Sequence, residues 1–362
     1  MKVFYSAFTC IGNVGDFIIN KYQIEEYSKY SDVFVDFTGM PDAFRDGIID
    51  GNNPRVHDFV QTYGVSYRGK HMFRVLSLLR SEGFTHFTKS PGPYAVISFP
   101  FPVFLKRLLG AVGYWCARKN GMKVFAMGID LNLVSLPCWL RKLNVKYFNC
   151  YHQLGVRSIP NKDKLISCIP SVRYCPDMAF LCSKLEKPTK NIRKKIAISF
   201  RRVDNIKVLL EILRYICFYF VKRGYEIELI YQVREDYGFC KELNDMLVEY
   251  HPSFREDMVS FKTINLYVRY DYVFSNRLHV LLLAVMHGGI PFAIVSDDIR
   301  ELKIMNIWQS VFDGGFCMHM NDSLNQIKFF LDENIIEMRE FIYKAASSQK
   351  ALCEEQIRQL FE

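Results

Sequence analysis

The sequence predicts an α/β protein built as two facing Rossmann-like domains with parallel sheets. Three observations carry that prediction. The chain has 362 residues, long for one hydrophobic core and comfortable for two. Half of its residues are hydrophobic and 15% are aromatic, so it can fill sizeable cores and is not a disordered chain. Short apolar runs alternate with helical periodicities almost throughout, the pattern of parallel strands covered by helices on both faces.

In the first half, strands are expected near 2–8, 32–37, 84–89, 123–129 and 145–151, and helices near 15–30, 70–82, 99–119, 133–142 and 160–167. The first helix has a visible start, because Asp16 after Gly15 puts a carboxylate in its first turn. In the second half, Lys195-Ile196-Ala197-Ile198-Ser199-Phe200 is an apolar strand, and a helix from 205 to 223 stops at Gly224. Strand 226–232, helix 238–250, strand 257–262, helix 264–270, strand 272–275, helix 278–287, strand 290–295 and helix 299–307 follow, and 323–361 is nearly all helical. The expected organisation is a first domain over 1–186, a basic linker over 187–195, a second domain over 196–333 and a helical segment over 334–362. Two such halves form the arrangement called GT-B-like, in which the cleft between domains is the default ligand site.

Eleven cysteines, scattered without CxxC or Cys/His clusters, read as buried free thiols of a reducing compartment and not as disulfides or a metal site. The N-terminus runs straight into a strand with no signal peptide, so the expected location is the cytoplasm, with the inner face of the membrane as an alternative. No uncharged apolar run reaches transmembrane length. The formal charge of +9 suits nucleic acid, an anionic membrane surface or an anionic substrate. No zinc-finger, RNP or basic-zipper pattern supports nucleic acid. The dense basic stretch from Lys187 to Lys195 reads as a solvated linker.

Ser275-Asn276-Arg277-Leu278-His279 carries the most chemistry. It lies where a strand hands over to a helix, at the carboxyl edge of a parallel sheet and beside helix N–H groups that favour anions. Arg supplies a planar fork for carboxylate or phosphate, and His moves protons near neutral pH. A solvated Arg and a capping His are the plain structural alternative.

That segment, with Leu281-Leu282-Leu283-Ala284 and Gly289-Ile290-Pro291, resembles the C-terminal signature of the polysaccharide pyruvyl transferase family. Asp298 and Lys303-Ile304 fall where that family often has an Asp and a Lys. Gly12-Asn13-Val14-Gly15-Asp16 resembles its N-terminal turn, Cys175-Pro176-Asp177 its Pro-Asp element, and Ile198-Ser199-Phe200-Arg201 the strand that opens its second half. The resemblance implies transfer of the enolpyruvyl unit of phosphoenolpyruvate, the donor substrate, to a sugar or lipid-linked oligosaccharide, with no cofactor and no metal. It assigns the acceptor side to the first domain and the donor side to the second. Arg201, Arg277 and Leu278 are then the donor-binding candidates, His279 the candidate catalytic proton donor, and Asn13, Asp16 and His152 the acceptor-binding candidates. Asp16 either meets the acceptor or starts its helix. His152 either faces the cleft after a strand or is a satisfied loop histidine. Arg157 either reaches the cleft or forms a structural ion pair, and Asp177 reads as a turn-former or anchor.

Two departures from the family pattern matter. Ser90-Pro91-Gly92-Pro93 replaces a run of glycines, and Gln232 stands where a His is often found, with Asp236 retained nearby. Two other functions stay open: a GT-B glycosyltransferase using a nucleotide sugar, with Asp297 or Asp298 on a ribose, and a non-catalytic polysaccharide-assembly protein. Finally, Phe99 to Leu109 with Tyr114, Trp115, Arg118 and Lys119 combines large apolar groups with four cations and no acid. It reads either as an interfacial helix making peripheral membrane contact or as a helix packed on the first sheet.

Overall fold

The computed structural model describes residues 1–8, 13–49, 51, 53–67, 71–94, 96–98, 100–133, 136–182, 185, 187 and 191–362. Two compact units emerge: residues 1–11, 16–181 and 352–362 form the first, and residues 12–15 and 182–351 the second.

The first unit starts with β1 (Lys2–Ser6), α1 (Val14–Ser28) and β2 (Asp32–Asp36). Next come α2 (Asp42–Ile48), β3 (Val56–Asp58), α3 (Phe59–Tyr63), α4 (Met72–Ser81), β4 (His86–Lys89) and the two-residue β5 (Gly92–Pro93). It continues through α5 (Phe101–Lys119), β6 (Lys123–Asp130), α6 (Cys138–Phe148), β7 (Gln153–Val156), α7 (Ile159–Leu165) and β8 (Val172–Tyr174). The strands pair in parallel in the order β3-β2-β1-β4-β6-β7-β8, with β5 beside β6. Phe4, Phe87, Val124 and Leu154, each 0% exposed, fill the middle of its core.

The second unit holds β9 (Lys195–Ser199), α8 (Ile206–Val221), β10 (Glu226–Leu229), α9 (Tyr237–Met246), β11 (Ser253–Phe254) and β12 (Tyr272–Ser275). It continues with α10 (Leu278–Met286), β13 (Ile290–Val295), α11 (Ile299–Phe312), β14 (Cys317–His319), α12 (Leu324–Leu331) and α13 (Ile335–Phe361). Its strand order is β11-β10-β9-β12-β13-β14, all parallel. Counted within the unit this is 3-2-1-4-5-6, the doubly wound order whose direction reverses between the first and fourth strands. The β9/β12 junction is therefore a switch point, and residues leaving the carboxyl ends of those strands line it. The α10 sequence LHVLLLAVM is apolar nearly all round because it is a core helix, with eight of its nine residues buried.

The α/β class with two parallel sheets is as expected, and several element assignments are corrected. The strand expected at 145–151 is absent, because α6 runs on to Phe148 and buries Leu140, Asn144 and Phe148 at helical spacing. The next strand is β7, after His152. No strand occupies 257–262; the short β11 precedes it. The linker expectation falls partly on residues outside the described ones, 188–190. Its end is fastened, since buried Asp271 accepts the backbone N–H of Arg193 (3.0 Å) and of Lys194 (2.9 Å), while Asn191, Ile192 and Lys194 stay exposed. Residues of α13 up to Ala351 group with the second unit and Leu352–Phe361 with the first.

Candidate functional site

At the second unit's switch point, Ser199 of β9 stands in register with Ser275 of β12. The Ser275 hydroxyl donates to the Ser199 carbonyl (2.5 Å) and accepts the Arg277 backbone N–H (2.9 Å). Asn276, 1% exposed, ties the two chain segments together. Its Oδ1 accepts the Arg201 backbone N–H (2.7 Å), and its Nδ2 donates to the Arg201 carbonyl (3.1 Å) and to Glu301 Oε1 (2.6 Å). The other Glu301 oxygen accepts the Ser296 N–H (2.8 Å) and hydroxyl (2.9 Å). Burial pushes the Glu301 carboxyl above its ordinary value, against the lowering effect of those bonds and of Arg201. Every polar atom of the Asn276 side chain is thus committed to holding the backbones that carry Arg201 and Arg277.

The two arginines differ. Arg277 caps α10 with an extended backbone (φ −111°, ψ 117°), and its fork closes on Asp236 through Nε (2.7 Å) and Nη2 (2.5 Å). The Asp236 side chain is 4% exposed, so this is a largely buried bidentate pair. Arg201 has a buried terminal nitrogen with no hydrogen-bond partner among the described residues. Burial lowers its pKa, and the neighbouring charges of Arg277 and Arg300 lower it further, against the smaller opposing effect of Glu301 and Asp236. Arg300 is itself paired with Asp298, the N-cap of α11. A partly desolvated cation with a buried, unbonded nitrogen is costly.

His279 occupies the first turn of α10. Gly15, which groups with this unit, lies so close that a Cβ placed on it would sit 1.9 Å from His279 Nδ1. No side chain but hydrogen leaves room for the ring. Leu278 is 5% exposed, and its side chain packs into the core. Asn13 Oδ1 accepts the Gly15 N–H (3.0 Å) and shapes the turn before α1; Gly12 of the same motif lies outside the described residues.

In the first unit, Asp16 stands half-buried in the first turn of α1, and its carbonyl accepts Asn20 Nδ2 (2.6 Å). The acceptor role of His152 needs correcting in its premise. The residue precedes β7 instead of following a strand, and its Nδ1 accepts the Val124 N–H (3.0 Å) at the start of β6. That is the amino edge of the sheet, opposite the edge where doubly wound sheets bind ligands. Partial burial and the Arg118 charge lower its pKa. At the carboxyl edge, Arg157 (1% exposed) bonds Asp177 (2.7 Å) and Asp130, which makes it the structural ion pair. Burial works against its charge, and the two carboxylates more than offset that, so the guanidinium is held more firmly protonated than usual.

The departures have structural explanations. Gln232, 3% exposed, donates to the Tyr267 hydroxyl (2.6 Å). Ser90 accepts the Phe8 N–H (2.5 Å) and donates to Asn20 (2.6 Å), fixing the loop after β1. Sequence reading gave no role to Asn276 or Glu301 and did not pair Arg277 with Asp236. Asn276 lay inside the quoted motif, but nothing in a sequence links positions 236 and 301 to it. Among the described residues, no group of three or more His, Cys, Asp or Glu side chains is placed to hold a metal ion.

Solved structures sharing this architecture include a lipopolysaccharide outer core galactosyltransferase, WaaB, with a TM-score of 0.56 at 12% identity, over 100% of this chain and 99% of that one. The UDP-GlcNAc 2-epimerase of Neisseria meningitidis bound to UDP-GlcNAc gives 0.59 at 12% identity over 99% of both chains. The corresponding enzyme of Methanocaldococcus jannaschii gives 0.60 at 11% identity, again over 99% of both. At such identities they establish the GT-B-like fold alone. No curated protein matches the chain in sequence. The model of one family matches residues 104–298, more than half of the 362, including Arg201, Arg277 and His279. By that match the chain belongs to the polysaccharide pyruvyl transferase family, a family of transferases.

Proposed function

We propose that this protein transfers the enolpyruvyl unit of phosphoenolpyruvate to a sugar of a surface polysaccharide or its lipid-linked precursor, forming a pyruvate ketal. The observation that carries the reading is the buried, unpartnered terminal nitrogen of Arg201 beside Arg277 at the switch point. Phosphoenolpyruvate brings a carboxylate and a phosphate to such a place. Arg201 receives one of them, and the α10 N–H groups and the nitrogen of Arg277 not held by Asp236 receive the other. His279 gives a proton to the methylene carbon, leaving an oxocarbenium-like centre. One sugar hydroxyl adds there, phosphate leaves, and a second hydroxyl closes the ketal while a base accepts the hydroxyl protons. Asn13 and Asp16 are the residues we assign to the acceptor.

The thiols suit a reducing compartment: burial pushes Cys217 and Cys240 up to about 12, so they stay protonated and inert. We place the activity in the cytoplasm. A thermal-shift titration tests the donor. A ligand at ~100 times its Kd stabilises by about 2.7 kcal/mol, so phosphoenolpyruvate should raise Tm and a nucleotide sugar should not. Stabilisation by the nucleotide sugar alone would make the protein a glycosyltransferase. Stabilisation by acceptor sugar alone would make it an assembly protein.

A further inference from the structure

Helix α5 carries apolar residues on two sides. Ala111, Tyr114 and Ala117 are buried against the first unit's core. On another face Phe101 (65% exposed), Leu105, Leu109, Val112 and Trp115 (50%) all stand in solvent. At ~100° per residue these five fall within an arc of roughly 120°, the width of a stripe that ordinarily meets a core. The stripe runs ~21 Å along the helix. The neighbouring helix extends it. Trp139 of α6 is 52% exposed and its ring lies 6.4 Å from that of Phe104. Lys142 and Lys146, also exposed, share the Trp139 face at i+3 and i+7.

The charge around this surface is one-sided. Between Glu82 and Asp163 the sequence contains a single acid, Asp130, and that carboxylate is committed to Arg157. Arg118, Lys119, Arg141, Lys142 and Lys146 are all exposed, and Lys119 lies over the Trp115 ring at 5.5 Å. No described helix is long and apolar enough to cross a membrane. An apolar stripe with large aromatic groups, rimmed by cations and free of unpaired acids, matches a surface that offers hydrocarbon below a layer of negative headgroups. A protein partner of acidic surface would meet the cations but would need its own apolar ridge for the stripe.

We infer that the α5/α6 face docks the protein on an anionic lipid bilayer, with Phe101, Leu105, Leu109, Val112 and Trp115 entering the headgroup–acyl boundary and the α6 lysines meeting the headgroups. This goes beyond the donor reading and is independent of it, since docking is measured without donor or acceptor.

The protein has three tryptophans, Trp115, Trp139 and the fully buried Trp308, so two of three report this face. The full chain is mixed at low salt with phosphatidylcholine vesicles containing increasing phosphatidylglycerol, and sedimentation and tryptophan emission are read together. The expected result is co-sedimentation and a blue shift that grow with anionic lipid and fall with salt. Lys142→Glu with Lys146→Glu should remove the dependence on anionic lipid, and Leu105→Ser with Leu109→Ser should abolish the blue shift. Circular dichroism and unchanged Tm confirm that each variant is folded. Wild-type protein that stays in the supernatant with phosphatidylglycerol vesicles at low salt overturns the inference. So does a homodimer that fails to bind vesicles and that Leu105→Ser with Leu109→Ser dissociates, because the stripe would then serve a second copy.

Discussion

The carboxyl edges of the two sheets hold arginines in different circumstances. In the first unit Arg157 is paired with both Asp130 and Asp177, so its charge is balanced by the chain itself although its Nε is buried without a hydrogen-bond partner among the described residues. In the second, Arg201 keeps a buried terminal nitrogen without a hydrogen-bond partner among the described residues, and burial, with Arg277 and Arg300 nearby, depresses its pKa against the opposing effect of Glu301 and Asp236. Removing one partner of a buried ion pair leaves an uncompensated charge and is strongly destabilising, whatever the pair's net contribution. A half-buried cation with an unbonded buried nitrogen costs stability, and we assign the missing partner of Arg201 to the donor. The difference lies in the direct carboxylate partners, which Arg157 has and which Arg201 does not have among the described residues.

The largest effect expected from this contrast is on stability in the first unit. Arg157→Ala leaves Asp130 and Asp177 without their cation and should cost about 3–5 kcal/mol in denaturant unfolding. A loss near zero would mean the carboxylates find other partners, and the contrast would fail on that side. Turnover should respond most at Gly15. A Cβ there would displace the His279 ring, so Gly15→Ala and His279→Asn should each lower turnover by about 10²–10⁴-fold while donor binding persists. Wild-type turnover in either variant would remove His279 from the chemistry. Asn276→Ala leaves the Arg201 N–H and a Glu301 oxygen without their bonds and should cost about 1–3 kcal/mol of stability. It should also weaken the donor more than Gln232→Ala does, since Gln232 serves only Tyr267 among the described residues.

The smallest effect is on pH. Burial lowers the pKa of His86 and of His152, both in the first unit. The unfolded chain then binds protons more readily than the folded one just below the ordinary histidine value of about 6.5. Their contribution is fully present above that value and is lost as pH falls through the folded pKa. Melting followed from pH 8 to pH 5 should show this decline, and His86→Gln should flatten it. An unchanged slope in the variant would assign the acid sensitivity elsewhere.

Much of this was legible in the sequence, for physical reasons. Strands buried on both faces, such as Ile290–Val295, are continuous apolar runs and announce themselves. The Ser275–His279 motif marks a strand-to-helix turn, and its edge position follows from the fold class. His152 was misplaced because the apolar run at 145–151 overlaps the end of α6, and a short apolar segment does not reveal its period. The roles of Asp236 and Glu301 were invisible because the contacts join positions 41 and 25 residues away from Arg277 and Asn276. Whether an arginine is spent on a carboxylate or left open is decided by such tertiary contacts.

The central claim is that Arg201 is held open for the donor. The most direct measurement is calorimetric titration of phosphoenolpyruvate into the wild type and Arg201→Met, with the Tm of each protein alone recorded alongside. The account predicts that the variant loses about 2–3 kcal/mol of donor affinity while its own Tm is equal to or above that of the wild type, because a buried, incompletely partnered charge has been replaced by an apolar chain of similar reach. Undiminished donor affinity in Arg201→Met, or a Tm that falls as Arg157→Ala is expected to make it fall, would contradict it.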